Sequence, residues 1–332
     1  MKQSPKPVIK IKFVGFWVGF DVQSNFITEL LKKHYTLEFS DEPQYLFSSC
    51  FSDEYMDYDC VRIFYTGENF FPDFNMFDYA MGLDYLDMGD RYIRFNQFLL
   101  PQYRNDYEHM LRKHEQPLHA LEQKEGFASM VVSSGRACAK QRDMIFDKLS
   151  EYQFVASGGR YRNNIGMPEG VPDKLEFQKK YKFALCFENC KHPGYLTEKL
   201  LQAFAAEAIP IYWGDPLADK VFSEKAFINC NKFESLDDVL MQVKAINEND
   251  ELYLEMLRTP ALLPASENLW DRQYKELEAW LVNIIEQPID SAYRRSKVGF
   301  QHSYEEKMCD WRNVYRKKQR REHIINRIFR RK

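Results

Sequence analysis

The amino-acid sequence predicts an α/β protein of two halves, each a mostly parallel sheet flanked by helices. Three observations lead there. The chain has 332 residues, enough for about two domains at ~150 residues each. Its first 40 residues read as strand, loop and helix, and Phe183 to Trp213 reads as strand, helix and strand at the spacing of a right-handed crossover unit.

Val8 to Val14 (VIKIKFV) alternates apolar and basic residues with period two before Gly15, which marks a strand followed by a turn. Phe26 to Tyr35 carries apolar residues at helical spacing. Tyr45 to Phe47, Val61 to Tyr65 and Phe77 to Met81 are short apolar runs bounded by Asp, Gly, Pro or Asn, and read as further strands of one sheet. Gln102 to Glu125 is polar, charged and broken by Pro117, so the inter-domain segment is expected there. A strand at Phe127 to Val132 opens the second half. A helix around Arg142 to Leu149, a Gly-rich loop from Ser157 to Gly166, a strand at Phe183 to Phe187, a helix at Thr197 to Ala206 and a strand at Ile209 to Trp213 follow. Leu236 to Ile246 and Glu267 to Ile285 have helical periodicity, and no internal repeat is visible. The expected domains are residues 1–122, residues 126–297 and a basic tail, 298–332. A cleft between the halves is the default ligand site.

A hydrophobic fraction of 45% with 29% charged residues excludes disorder and low-complexity material. The formal net charge of -3 hides a division. Residues 301–332 hold eleven of the 46 Lys+Arg and four of the 49 Asp+Glu, so this tail is +7 and the rest -10. A body that acidic argues against nucleic acid as a partner. The seven Cys are odd in number, scattered and without a CxxC pair, which points to free thiols in a reducing cytosol rather than a disulfide scaffold or zinc knuckle. Lys10 and Lys12 interrupt the N-terminal apolar stretch, so no secretory signal is expected. The run Phe13 to Phe20 is far short of the ~18–20 residues that span a bilayer. The expected location is cytoplasmic.

The segment richest in chemistry is Tyr181 to Pro216 (YKFALCFENCKHPGYLTEKLLQAFAAEAIPIYWGDP). It reads as a buried strand, a polar loop from Glu188 to Tyr195, a helix whose first turn holds Thr197, Glu198 and Lys199, and a second buried strand ending in Gly214-Asp215-Pro216. A helix N-terminus beneath a Lys and a Tyr suits a diphosphate, because unpaired amides and the helix dipole favour an anion there. The plainer alternative makes Thr197 a cap, Glu198 a complement to the dipole and Lys199 a solvated residue.

FENCKHPGYLTEK, IPIYWGDP and the earlier FYTGEN (Phe64 to Asn69) resemble the motifs of the bacterial α-1,3/1,4-fucosyltransferases of glycosyltransferase family 10. The resemblance runs from about Val8 to about residue 256. It implies a GT-B architecture, two Rossmann-like domains facing across a cleft, with GDP-fucose held by the C-terminal domain and the acceptor by the N-terminal one. It also implies donor-binding roles for Asn189, Tyr195, Glu198 and Lys199, and for Arg142 as a second basic residue at the phosphates, with Arg160 and Arg162 as alternatives. Glu68 in FYTGEN matches the family's proposed general base. Such a carboxylate is competent where partial burial raises its pKa toward neutrality.

Fucosyl transfer develops negative charge on the leaving diphosphate, which preorganised cations and amides stabilise. No metal or other cofactor is expected, and Asp57-Tyr58-Asp59 reads as a solvated acidic loop. His192 reads as solvent-facing, Cys186 and Cys190 as core or loop thiols, and Tyr212 and Trp213 as packing residues. Asp78 and Asp84 are either structural or line the acceptor site. Trp311 to Lys332 holds ten Lys or Arg with Ile325, Ile328 and Phe329 at helical spacing. It suits an anionic membrane surface, the inner face of the cytoplasmic membrane. The resemblance thus implies an inverting transferase moving L-fucose from GDP-fucose to a GlcNAc or Glc hydroxyl of a lactosamine-type or lactose acceptor. The α-1,3 linkage is favoured over α-1,4, in glycan or lipopolysaccharide O-antigen synthesis. The alternative is a noncatalytic nucleotide-sugar or glycan-binding protein of the same fold.

Overall fold

The computed structural model describes residues 5–115, 120–135 and 140–329, with side chains to residue 322. Cys138, Pro117 and the apolar group Ile325, Ile328 and Phe329 of the tail lie outside the described side chains. Two compact units form. One comprises the chain up to Gly82, Leu86–Arg94 and everything from Tyr274 on; the other comprises Leu83–Tyr85 and Phe95–Gln273.

The first unit holds six parallel strands in the order β2-β1-β3-β4-β5-β6: β1 Val8–Val14, β2 Thr36–Phe39, β3 Tyr45–Ser48, β4 Val61–Tyr65, β5 Tyr79–Gly82 and β6 Tyr92–Arg94. Every residue of β3, β4 and β5 is buried, as befits strands covered on both faces. Helix α1 (Phe26–Lys32) starts where the Asn25 side chain accepts from the amides of Ile27 and Thr28. In the second unit the order is β11-β10-β9-β7-β8, from β7 Gly126–Met130, β8 Val155–Ser157, β9 Tyr181–Phe187, β10 Ile209–Trp213 and β11 Ile228–Asn229, again all parallel. Its helices are α2 Arg104–Leu111, α3 Lys140–Tyr152, α4 Lys174–Lys179, α5 Glu198–Ala205, α6 Leu236–Asn247 and α7 Asp250–Arg258. In both sheets the strand order reverses once, between β1 and β3 and between β7 and β9. Ligands of open parallel sheets bind beyond the strand C-termini at such reversals.

The unit boundary differs from the expected one at 122–126. The first sheet is complete at Arg94, and the polar stretch Gln102 to Glu125 is no linker. Its helix α2 buries Tyr107 and Met110, Tyr107 packs on Trp270 at 5.3 Å between ring centroids, and Asp106 accepts from Gln202 of α5 at 3.1 Å. Lys113 donates to the carbonyls at the C-terminal end of α7, Leu257 at 2.6 Å among them, and burial pushes its ammonium down to about 7.

Beyond Gln273 the chain belongs to the first unit, through the rest of α8 (Leu269–Glu286), α9 (Ile289–Ala292) and α10 (Gly299–Phe329). Trp280 donates to the Asp90 carbonyl, and the fully buried Arg295 pairs with the fully buried Asp78. Asp78 also accepts the amides of Arg62, Arg294 and Arg295, so it is structural. Arg62 and Arg295 share Glu305 of α10 at 2.7 and 2.9 Å. The basic tail is therefore not a separate object along its first half. Asp57 pairs with Arg312 at 2.7 Å, Arg316 with Asp53, and Asp59 accepts from Tyr293. The acidic loop is exposed, as expected, and is at the same time the counter-charge of a basic helix. Removing Asp78 strands a buried guanidinium, so Asp78→Ala is expected to lose about 3–5 kcal/mol of unfolding free energy. Urea unfolding followed by tryptophan fluorescence reads this, and an unchanged midpoint contradicts it. Among the described residues no helix is long and apolar enough to cross a membrane.

Candidate active site

The loops after β7 and β9 stand at the order reversal of the second sheet, and the sequence-predicted donor residues lie on them or on the helices they lead into. Glu188, the first residue after β9, is fully buried. Its carboxylate accepts the Thr197 amide at 2.8 Å, the Thr197 hydroxyl at 2.7 Å and the Lys199 ammonium at 2.9 Å. Lys199 also donates to the Thr197 hydroxyl at 2.9 Å and stands 3.7 Å from Glu198. Thr197 occupies the N-cap position of α5, yet its side chain makes no capping bond because Glu188 takes the hydroxyl. The anion resting on the start of α5 is thus the protein's own. A diphosphate there would share Lys199 with Glu188.

This cluster decides the charge states. Burial by itself would lower the Lys199 pKa, but the charges of Glu188 and Glu198 and the hydrogen bond to Glu188 hold it well above the usual lysine range. Burial would raise Glu198, and the cations Lys199 and Lys174 pull it below its ordinary value instead. Burial lowers the Lys174 ammonium, which donates to Gln202 at 2.7 Å. Burial and the neighbouring Glu198 push the Tyr103 phenol up to about 12. Lys199 keeps 23% of its side chain exposed, so its charge is fixed in place and still reachable.

Two glycines make the geometry possible. A Cβ on Gly214 would stand 2.4 Å from Glu188 Cγ, and a Cβ on Gly194 (φ +93°) would stand 2.3 Å from the Leu83 carbonyl oxygen. Next to Gly194, the buried Tyr195 donates its amide to the His192 carbonyl. His192 is not solvent-facing: its Nε2 meets buried Asp84 at 2.6 Å, which fixes the loop and gives Asp84 a structural partner. Asn189 follows Glu188 and is half-buried.

Of the three arginines, Arg142 is the one with a buried, uncommitted guanidinium nitrogen among the described residues. It is buried on α3, reaches the Ser134 carbonyl after β7 at 3.3 Å, lies over the Tyr161 ring, and its Nε has no hydrogen-bond partner among the described residues. Arg162 is committed to Asp143 and Asp147, and Arg160 is exposed. Glu68 lies in the other unit, after β4. Its amide donates to Thr66 Oγ1 at 3.0 Å and its carbonyl accepts from Phe70 at 2.8 Å. Its side chain is exposed, so the partial burial expected of it is absent; the loop runs off the sheet edge into solvent.

Glu188, Lys174 and Tyr103 escaped the sequence reading. Only the FEN motif marked Glu188, and nothing in it shows a carboxylate folding back onto residues nine and eleven positions later. Glu188→Ala is expected to cost about 3–5 kcal/mol of stability by leaving Lys199 without its buried partner. Glu188→Gln, which keeps an acceptor for Thr197, costs less. Equal urea midpoints for the Ala variant and wild type would contradict this.

Two doubly wound parallel sheets with a charged loop at the order reversal of the second are the arrangement of the GT-B fold class. The chain belongs to glycosyltransferase family 10, the fucosyltransferases. The model of the family's C-terminal domain matches residues 121–279, and that of the alpha-(1,3)-fucosyltransferase FucT N-terminal domain matches residues 11–101. The chain is similar to alpha-(1,3)-fucosyltransferase FucT of Helicobacter pylori, 31% identical over 300 residues, 77% of this chain and 61% of that protein. It thus spans about three-fifths of the length of that relative. It resembles a crystal structure of an α1,3-fucosyltransferase with GDP-fucose at a TM-score of 0.70 and 27% identity, covering 86% of this chain and 93% of that one. It also resembles human 4-galactosyl-N-acetylglucosaminide 3-alpha-L-fucosyltransferase FUT6, 32% identical over 100 residues, 29% of this chain and 27% of that protein.

Proposed function

We propose that the protein transfers L-fucose from GDP-fucose to a GlcNAc or Glc hydroxyl of a lactosamine-type or lactose acceptor. The linkage formed is α-1,3 rather than α-1,4, with inversion at the anomeric carbon, in glycan or lipopolysaccharide O-antigen synthesis. The observation that carries this reading is Lys199, held charged and accessible by Glu188 at the start of α5. The family's fucosyl donor and the 4-galactosyl-N-acetylglucosaminide acceptor for which the FUT6 relative is named support the substrate class.

In this mechanism Glu68 accepts the acceptor hydroxyl proton as the oxygen forms its bond to the anomeric carbon. The bond to the β-phosphate oxygen breaks, and GDP leaves with the electron pair. Lys199 and Arg142 stabilise the charge that grows on the diphosphate. Tyr195, Asn189 and Glu198 shape the donor loop. Addition of N-acetyllactosamine to the protein with GDP-fucose is expected to release GDP and form a fucosylated trisaccharide, with GDP-mannose inert as control. Donor binding without release on any type 1 or type 2 acceptor would mark a noncatalytic binding protein instead.

The same reading places the protein in the cytoplasm, peripheral on the inner face of the membrane. Helix α10 exposes Trp311, Val314 and Tyr315, an aromatic and basic surface suited to anionic headgroups. Deleting residues 317–332 is expected to reduce partitioning onto phosphatidylglycerol liposomes. Unchanged partitioning defeats the membrane role.

A further inference from the structure

On the first unit, the loops at the C-terminal ends of β1, β3 and β4, beside the β1–β3 order reversal, expose a group of large apolar side chains. Trp17 and Val18 follow β1, Phe51 follows β3 and Phe70 follows β4; their exposures are 36, 103, 52 and 52%. Clustered exposed aromatics mark a binding surface. These loops are tied to one another. The Phe51 amide donates to the Gly15 carbonyl at 3.0 Å, Cys50 Sγ meets Thr66 Oγ1 at 3.3 Å, and the same hydroxyl accepts the Glu68 amide. Gly15 (φ +67°) permits the approach, since a Cβ there would stand 2.9 Å from the Ser49 carbonyl oxygen.

Trp17 and Phe70 rest on an aromatic base. Trp17 packs on Phe20 at 4.9 Å, Phe20 stacks on Phe16 at 4.1 Å, and Phe70 packs on buried Phe64 at 5.8 Å. Packing of this kind restricts Trp17 and Phe70 before anything binds, which lowers the ordering cost of binding. Phe70 is two residues from Glu68, so whatever covers the rings also lies beside that carboxylate.

We propose that Trp17, Phe51 and Phe70 form a stacking platform for the galactose ring of the acceptor. This rests on the fucosyl-transfer reading above. A galactopyranose has an axial 4-hydroxyl, which leaves C3–H, C4–H and C5–H on one apolar face that fits flat against aromatic rings. Its hydroxyls point outward, where the turn around Glu68 offers a proton acceptor to the neighbouring sugar. The platform thereby sets which disaccharides are used: the rings select the galactose unit, and the reacting hydroxyl lies on the residue linked to it.

The test uses Phe51→Ala, Phe70→Ala and the double variant in the full-length chain, with Phe70→Trp as the conservative replacement. Steady-state kinetics with N-acetyllactosamine are expected to show a rise in acceptor KM of roughly tenfold per ring, an unchanged KM for GDP-fucose, and recovery in Phe70→Trp. Unchanged thermal midpoints exclude misfolding as the cause. An acceptor KM within twofold of wild type in the double variant, or an equal rise in donor KM, overturns the platform. Saturation-transfer NMR with N-acetyllactosamine reads it without turnover: galactose protons are expected to be saturated by wild type and lost in the double variant. Saturation that persists in the double variant, or is missing in wild type, overturns the platform. Lack of turnover alongside ring-dependent saturation overturns the fucosyl-transfer reading and leaves the platform standing.

Discussion

Lys199→Ala is expected to lower kcat/KM for GDP-fucose by roughly 10²–10³-fold, the scale of removing one preorganised group that stabilises developing charge. Lys199 is fixed by Glu188 and Thr197 at 2.9 Å each, so its charge is in position before the donor arrives. The loss should therefore fall mainly on kcat, where charge on the diphosphate is greatest, with a smaller loss of GDP affinity by calorimetry. Thr197 still donates to Glu188 in the variant, which keeps the loop's hydrogen bonds. The pH profile adds a second reading. Because the Lys199 pKa is raised above its ordinary 10.5, it stays charged as pH rises, so it contributes no alkaline limb to kcat/KM below about pH 10. Activity of Lys199→Ala within tenfold of wild type, or an alkaline limb near neutrality that vanishes in this variant, would refute the assignment.

Glu68→Gln is expected to reduce transfer by about 10²–10⁴-fold, the range for loss of a positioned general base, with GDP binding unchanged. Gln preserves the shape of the loop, whose turn depends on the backbone groups of residue 68 rather than its carboxylate. The side chain is exposed, so stability should not move. Retained turnover would remove Glu68 from the mechanism.

The longer elements of this protein were readable as pattern. The alternation of Val8–Val14 shows its period, the buried run Val61–Tyr65 stands out as an apolar stretch between turn residues, and the crossover through β9, α5 and β10 is long enough to read. Strands β2, β6, β8 and β11 have two to four residues, too few to display one. The domain boundary was hidden for a different reason. Helix α2 is so polar that its two buried residues, Tyr107 and Met110, do not stand out from a linker. The return of α8 to α10 to the first unit depends on Asp78, Arg295 and Glu305, whose pairing is a tertiary fact. The loop from Glu188 to Tyr195 was legible because its motif is contiguous. The carboxylate that organises it, and the histidine whose partner Asp84 is 108 residues away, were not.

The ion pairs of Arg312 and Arg316 with Asp53 and Asp57 change the meaning of the tail's charge. Those two cations already have fixed internal counter-ions, so a count of basic residues overstates what an outside anion can draw on. Eight Lys or Arg follow residue 316 in the sequence. A truncation begun at residue 311 would also uncover two aspartates on the body, adding repulsion toward any negative surface and exaggerating the loss of attraction. The position of the cut, as much as its length, sets what such a deletion measures.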